Sequence, residues 1–322
     1  HELKCKYSKI GLWRICRLFG ITRQAYYQHS WEAEDVQTAD LLILKEVMVI
    51  RKEHKVIGAR KLHDMLQPFM MEHSIKMGRD ALFGLLAANR LLVKKRKRKI
   101  QTTYSNHWLR KYPNLIRDFI PTAINQLWVS DITYWKISTG EHLYISLITD
   151  AWSRKIAGYH VAETMEAIQS IQALQMALAA LGGAAVPLQL THHSDRGIQY
   201  CSGKYVKLLQ DNGVRISMTE NGDPLENAIA ERVNGIIKEE YLNHYQTDNL
   251  PEAKKQLQKA IRLYNNDRPH MSIGNLTPNK LHNHQKINHQ RLWKNYFRKP
   301  ATFENKNENH PVNLLQDLSI NL

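Results

Sequence analysis

An α/β core preceded by all-α units is the fold class predicted by this 322-residue sequence, and three observations predict it. Residues 8–92 carry apolar residues at helical spacing. From residue 125 the pattern changes to short β-rich runs separated by turn residues. Beyond residue 161, strand and helix patterns alternate, as they do where helices cover a sheet.

In chain order, residues 8–30 read as two short helices broken at Gly20, with Leu12, Ile15, Cys16 and Phe19 on one face and Thr22 as N-cap of the second. Both a helix-turn-helix and a plain helical hairpin fit that pattern. A longer helix is predicted over 36–54. After Gly58-Ala59-Arg60-Lys61-Leu62 a break is predicted at Pro68, and then a helix over 79–92. Lys94, Lys95, Arg96, Lys97, Arg98 and Lys99 follow as an unbroken basic run ahead of Tyr104, His107 and Trp108. Such a run suits either a solvated linker or tracking of backbone phosphate without base readout.

Strands are predicted over 127–137 and 143–149, joined by Ser138-Thr139-Gly140, and over 155–161 after the turn Ala151-Trp152-Ser153-Arg154. A helix over 165–181 ends at Gly182-Gly183. A strand over 188–192, a helix over 203–211, a strand over 214–218 and a helix starting near Asp223-Pro224 complete the order β-β-β-α-β-α-β-α, that of an RNase H-like fold. A last helix runs from about Asp248 to Asn265. The domain boundaries that follow are 1–30 for a small helix-turn-helix, 31–93 for a second helical unit, 94–120 for a basic linker, 121–283 for the catalytic core and 284–322 for a basic, Asn-rich tail.

Lys and Arg number 45 against 30 Asp and Glu, an excess of 15 that points to a polyanionic partner, nucleic acid foremost. No apolar stretch is long enough for a membrane span and no signal-peptide core opens the chain, so a cytoplasmic, nucleoid-associated location is expected. The three cysteines, Cys5, Cys16 and Cys201, are scattered without disulfide or zinc-ribbon spacing. The chain opens on His1, which is expected to reflect a start further upstream.

Three acids occupy settings suited to metal-dependent phosphodiester chemistry: Asp131 within Trp128-Val129-Ser130-Asp131-Ile132-Thr133-Tyr134, Asp195 within His193-Ser194-Asp195-Arg196-Gly197, and Glu231 after Asn227-Ala228-Ile229-Ala230. The first two lie in or just after apolar strands, where an uncompensated charge is costly. Mg²⁺ favours carboxylate oxygen and keeps waters for a nucleophile. Without metal, close carboxylates repel, and their pKa values should rise. Strand alternation puts Val129, Asp131 and Thr133 on one face and Trp128, Ser130 and Ile132 on the other. Glu226 competes with Glu231 for the third position. Asp223, Pro224 and Glu226 form a capping pattern, which gives Glu226 a structural task, and at 100° per residue it lies about 140° around the helix from Glu231. Asn227, Asn234 and Lys238 fall within about 60° of Glu231, opposite the apolar Leu225, Ile229, Val233 and Ile236, so this polar stripe reads as an active-site face on which Asn227 and Asn234 are expected to touch DNA. Asp150 offers a fourth carboxylate at a strand end, though with Ser153 and Arg154 beside it a turn role fits better. His193 suits orienting a ligand, contacting phosphate or a structural place.

At these residues the chain resembles the DDE transposases of bacterial insertion-sequence family three, whose core is similar to retroviral integrase. The resemblance rests on 128–134, on His193-Ser194-Asp195-Arg196-Gly197-Ile198-Gln199-Tyr200, on 227–231 followed by Lys238, on Tyr264-Asn265-Asn266-Asp267-Arg268-Pro269-His270, and on the 35 residues between Asp195 and Glu231. It implies that Asp131, Asp195 and Glu231 are catalytic and hold two Mg²⁺ or Mn²⁺ ions for strand cleavage and strand transfer. It further implies that Lys238 holds the DNA end and that 31–93, with Gly58 and Arg60 at matching positions, binds terminal inverted repeats. Arg268 and His270 then belong to a closing motif that serves packing and backbone contact around the core, with Arg268 a candidate DNA contact, and two ends require at least a dimer on double-stranded DNA. An upstream frame with a helix-turn-helix and a leucine zipper is expected from the same resemblance. Many relatives have Asp-Asn-Ala where this chain has Glu226-Asn227-Ala228. A nuclease without strand transfer and a catalytically silent DNA-binding repressor are the rival functions.

Overall fold

A computed structural model describes residues 9–93, 108–181, 189–220 and 226–283, with only the backbone described over 29–37. The expectations for the basic run 94–99, the cap at Asp223-Pro224 and the tail 284–322 lie outside those residues.

The helical part comprises α1 (Leu12–Leu18), α2 (Arg23–Glu53), α3 (Ala59–Glu72) and α4 (Arg79–Ala88). Gly20 takes the left-handed φ of +67° between α1 and α2, and Thr22 Oγ1 caps α2 by accepting from Ala25 N at 3.0 Å. Two expectations give way here. The helices predicted as separate across residue 30 are one continuous α2, because no Gly or Pro interrupts 23–53. Pro68 lies inside α3 rather than ending it. It forfeits one backbone donor, but Leu62, Leu66 and Met70 form a buried stripe on both sides of it, and that packing carries the helix through. Ile43, Val47 and Ile57 join this stripe with Leu82 and Leu86 of α4 to form a separate helical core. Phe19, predicted to face inward, is 57% exposed.

The core sheet contains β1 (Leu127–Lys136), β2 (His142–Asp150), β3 (Ile156–Ala162), β4 (Thr191–Ser194) and β5 (Arg215–Met218), in the spatial order β3-β2-β1-β4-β5. The first three strands are an antiparallel meander, and β4 and β5 add in parallel on the far side of β1. This is the topology of an RNase H-like fold. One face is covered by α5 (Ala167–Ala179), the single-turn α6 (Ile198–Cys201) and α7 (Gly203–Asp211), around Trp128, Ile148, Leu174 and Leu209. The other carries α8 (Ala228–Ile236) and α9 (Leu250–Asn266), packed on Trp135, Ile145 and Leu147 through Val233, Ile236 and Leu257. A π-helical segment, Ile237–Tyr241, continues α8, and α10 (Pro278–Asn283) closes the described chain. Asn249 caps α9 by accepting from Glu252 N at 3.0 Å, one residue later than the predicted Asp248 start. No helix among the described residues is long and apolar enough to cross a membrane.

Gly158 fixes how closely α5 approaches β3. A Cβ there would stand 2.1 Å from the Ala173 carbonyl oxygen and 2.9 Å from the Ala177 backbone nitrogen. Gly158→Ala is therefore expected to lower stability by roughly 2–3 kcal/mol, a fall of about 5–10 °C in a thermal melt. An unchanged melting temperature would show that α5 can shift freely.

Candidate active site

Asp131 and Asp195 meet because of strand register. Val129 of β1 is level with His193 of the parallel β4 in the last pair of that register, and each acid follows two residues on, Asp131 within β1 and Asp195 just past the end of β4, close enough for their charges to act on each other. Both are half-buried. Asp131 Oδ1 accepts from Ile132 N at 2.9 Å, and Asp195 Oδ1 accepts from Gly197 N at 3.0 Å. A Cβ on Gly197 would stand 3.0 Å from that same carboxylate oxygen and 3.1 Å from Gln199 Oε1, so a larger residue there would push the Asp195 carboxylate aside by a few tenths of an ångström.

The α8 helix supplies the third acid. Asn227 caps it and donates Nδ2 to the Ser130 carbonyl at 2.9 Å, and Asn234 donates Nδ2 to Asp131 Oδ2 at 2.8 Å. These two amides, both buried, bolt the polar stripe of α8 onto the middle of β1. Glu231 lies in the first turn, three residues before Asn234, with its side chain exposed above the pair. The predicted polar stripe does face the site. Its two asparagines, expected to touch DNA, instead face Asp131 and its strand, because the helix packs against β1 on that side. Glu226 lies outside α8, in the turn before it, and its Oε2 accepts from Glu220 N at 2.7 Å. That contact is internal, and the cap predicted for it at Asp223-Pro224 lies outside the described residues.

Electrostatics tie the three acids together. Asp131 is pushed up to about 7, first by desolvation and then by the charge of Asp195, with Glu231 adding to the rise and the Asn234 amide opposing it. Desolvation also raises Asp195, and both desolvation and Asp195 raise Glu231. Among the described residues no three His, Cys, Asp or Glu side chains stand close enough as folded to hold a metal ion. The donor set nevertheless fits a hard divalent cation. It is all carboxylate oxygen, on three residues whose charges already act on one another, and each added negative charge makes the next less favourable.

A pH dependence follows for protein without metal. A folded pKa near 7 against about 3.9 unfolded means that the folded form holds an extra proton through that interval, so stability falls as pH rises from about 4 to 7. Asp131→Asn should flatten this part of the profile and raise the melting temperature at pH 7.5 by a few degrees in EDTA. Melts at pH 5.5 and 7.5 for both proteins check it, and an equal slope in the two would refute it.

The remaining expected site residues are dispersed. His193 is buried, with Nδ1 2.8 Å from Ser217 Oγ, and burial lowers its pKa to about 4, so it is a neutral ring inside the sheet. His192 lies on the opposite face, its Nε2 2.7 Å from Ser130 Oγ and 2.9 Å from the Tyr205 hydroxyl. Asp150 is a turn residue, accepting from Ser153 N and Oγ at 2.7 Å and from Asn125 N at 2.7 Å. Arg268 is 1% exposed, and its guanidinium is bidentate on Glu240, at 2.7 and 2.8 Å. Arg268 is therefore packed inside the core in an internal ion pair, and its Nη1 also donates to the Pro269 carbonyl at 3.3 Å. Arg60 is exposed at the start of α3, and Lys238 reaches over the ring of Tyr134. Sequence reasoning missed Tyr134 and Glu240, since neither the alternation of β1 nor the helical wheel says which long side chains meet.

A five-stranded mixed sheet in this order, with helices on both faces, is that of an integrase-type polynucleotidyl transferase core. Family models described as "Integrase core domain" match residues 121–224 and 212–278. The "uncharacterized 31 kDa protein" of insertion element IS600 from Shigella sonnei is 36% identical over 82% of this chain and 96% of its own length. The transposase for insertion sequence element IS629 from the same organism is 30% identical over 84% of this chain and 91% of its own. The transposase InsF for insertion sequence IS3A of Escherichia coli is 27% identical over 86% of this chain and 95% of its own. The chain belongs to the bacterial insertion-sequence transposases, and its function is DNA transposition.

Proposed function

We propose that Asp131, Asp195 and Glu231 are the catalytic residues and that they hold two divalent cations, Mg²⁺ or Mn²⁺, at the end of β1 and β4. When bound, such ions activate an attacking oxygen and stabilise the departing one at a phosphodiester. The parallel register of β1 and β4, which leads Asp131 and Asp195 to positions where their charges and that of Glu231 act on one another, carries this reading. The residues of the chain have distinct tasks around it. Asn234 orients Asp131, Gly197 N orients Asp195, and Asn227 fixes the start of α8. Asp131, near neutrality in its pKa, gives up a proton readily as a cation enters.

The substrate is double-stranded DNA carrying the element's terminal inverted repeats. The strand is cut to free a 3′-hydroxyl, which is then directed at a phosphodiester of target DNA. Exposed Arg60, the run Lys94, Lys95, Arg96, Lys97 and Arg98, and Lys238 bind backbone phosphate, which the charge excess of 15 favours. Bringing two ends together calls for at least a dimer on DNA.

The test is a strand-joining assay with a pre-cut terminal end, run with Mg²⁺ and with EDTA. Metal-dependent joined product is expected. Hydrolysis without joining would assign a nuclease instead, and tight DNA binding indifferent to metal, with no cleavage, would assign a repressor.

A further inference from the structure

Three residues beyond Asp131 on β1, Tyr134 turns its ring outward, 45% exposed. Only Leu127, Trp128 and Val129 of β1 pair with β4, so among the described residues that flank of the strand has no neighbouring strand from Ser130 onward. The Lys238 ammonium lies over the Tyr134 ring, 4.0 Å from its centroid, and the His142 ring meets Tyr134 edge-on at 5.6 Å between centroids. Lys238 is on the π-helical segment that continues α8, two turns beyond Glu231. A lysine stem is flexible, and ordering it on a strand phosphate costs rotamer entropy. An aromatic face holds an ammonium by its quadrupole, and unlike a carboxylate it does so without cancelling the charge. The result is an ammonium whose position on the segment continuing α8 is set by the ring face.

We propose that Tyr134 is a positioning residue for the DNA end: its ring fixes Lys238 where a backbone phosphate next to the scissile bond is held. This rests on the transposase site described above and adds a residue that acts on substrate binding through Lys238. The contribution lies in the ring face, so Phe should replace Tyr and an aliphatic side chain should not.

The experiment measures KM and kcat for joining of a pre-cut end by the wild type, Tyr134→Phe, Tyr134→Leu, Lys238→Ala and the Tyr134→Leu/Lys238→Ala double variant, with binding repeated across a salt series. Tyr134→Leu is expected to raise KM about 3- to 10-fold, with kcat within about twofold of wild type and Tyr134→Phe close to wild type. Lys238→Ala should lower the salt slope by about one ion. The double variant should match Lys238→Ala alone, since the ring acts only through the lysine. Multiplying effects in the double variant, equal damage from Phe and Leu, or an unchanged KM in Tyr134→Leu would each overturn the proposal. A wild type that joins no ends sinks the transposase site itself, whereas an active wild type with an indifferent Tyr134→Leu sinks only this inference.

Discussion

Glu231→Gln is expected to fold, to bind terminal DNA about as well as the wild type, and to cleave and join it about a thousandfold more slowly. The side chain is exposed on the first turn of α8, so the isosteric amide disturbs no packing, and a change of this kind alters stability by only about 0.5 kcal/mol. Removing a charge that raises Asp131 relieves repulsion and should leave the metal-free melting temperature equal or slightly higher. The chemistry has no such tolerance. Loss of a carboxylate donor from a metal site that supplies several kcal/mol of transition-state stabilisation, taken as about 4 kcal/mol, corresponds to about 10³ in rate. Asp195→Asn should behave in the same way. The informative comparison is Glu226→Gln. Its amide oxygen can still accept from Glu220 N, so that variant should keep nearly full activity. Single-turnover cleavage of the three variants beside the wild type decides. Glu231→Gln within tenfold of wild type, with Glu226→Gln inactive, would move the third acid to Glu226.

The sheet and the site were legible to different depths. Two-residue alternation located all three meander strands to within about two residues, and the helix predicted over 203–211 is α7 at its observed ends. The pairing of Asp131 with Asp195 was implied by motif but became geometry only through the parallel register of β1 and β4, which no local pattern encodes. The helical wheel placed Asn227 and Asn234 on Glu231's face correctly. Whether that face meets water or a strand is a tertiary property, and the strand won. Continuous α2 escaped notice because two good helix starts, at Thr22 and near Val36, were read as two helices when nothing between them stops the first. The π-helical turn after α8 has no sequence signal either. It lets the consecutive residues Glu240, Tyr241 and Leu242 all be buried, which a regular 3.6-residue helix against one surface does not favour.

That turn carries the largest stability effect expected in the protein. Arg268→Ala should cost about 3–5 kcal/mol, or roughly 10–15 °C in a melt, because it strands the Glu240 carboxylate in a buried place. The motif around Arg268 is structural throughout. The Tyr264 hydroxyl donates to the Arg154 carbonyl at 3.0 Å, and the Asn265 amide brackets Ile156, accepting from its N–H and donating to its carbonyl, both at 3.0 Å. The helical unit meets the same segment. Lys61 Nζ lies 3.8 Å from Glu240 Oε1, His54 Nδ1 lies 3.1 Å from the Tyr241 hydroxyl, and Lys55 Nζ donates to the His244 carbonyl at 3.0 Å. Glu240→Gln should therefore be damaging as well, leaving a guanidinium and an ammonium facing an amide. Replacing both partners by apolar side chains, Arg268→Met with Glu240→Leu, removes the stranded charge and should recover most of the loss, since a buried ion pair offers little net stability over good packing. Urea melts of the two single variants and the double one measure this. If the double variant falls by the sum of the singles, the pair is not the coupled unit its geometry describes. If Arg268→Ala melts like the wild type while DNA affinity drops, Arg268 serves the nucleic acid after all.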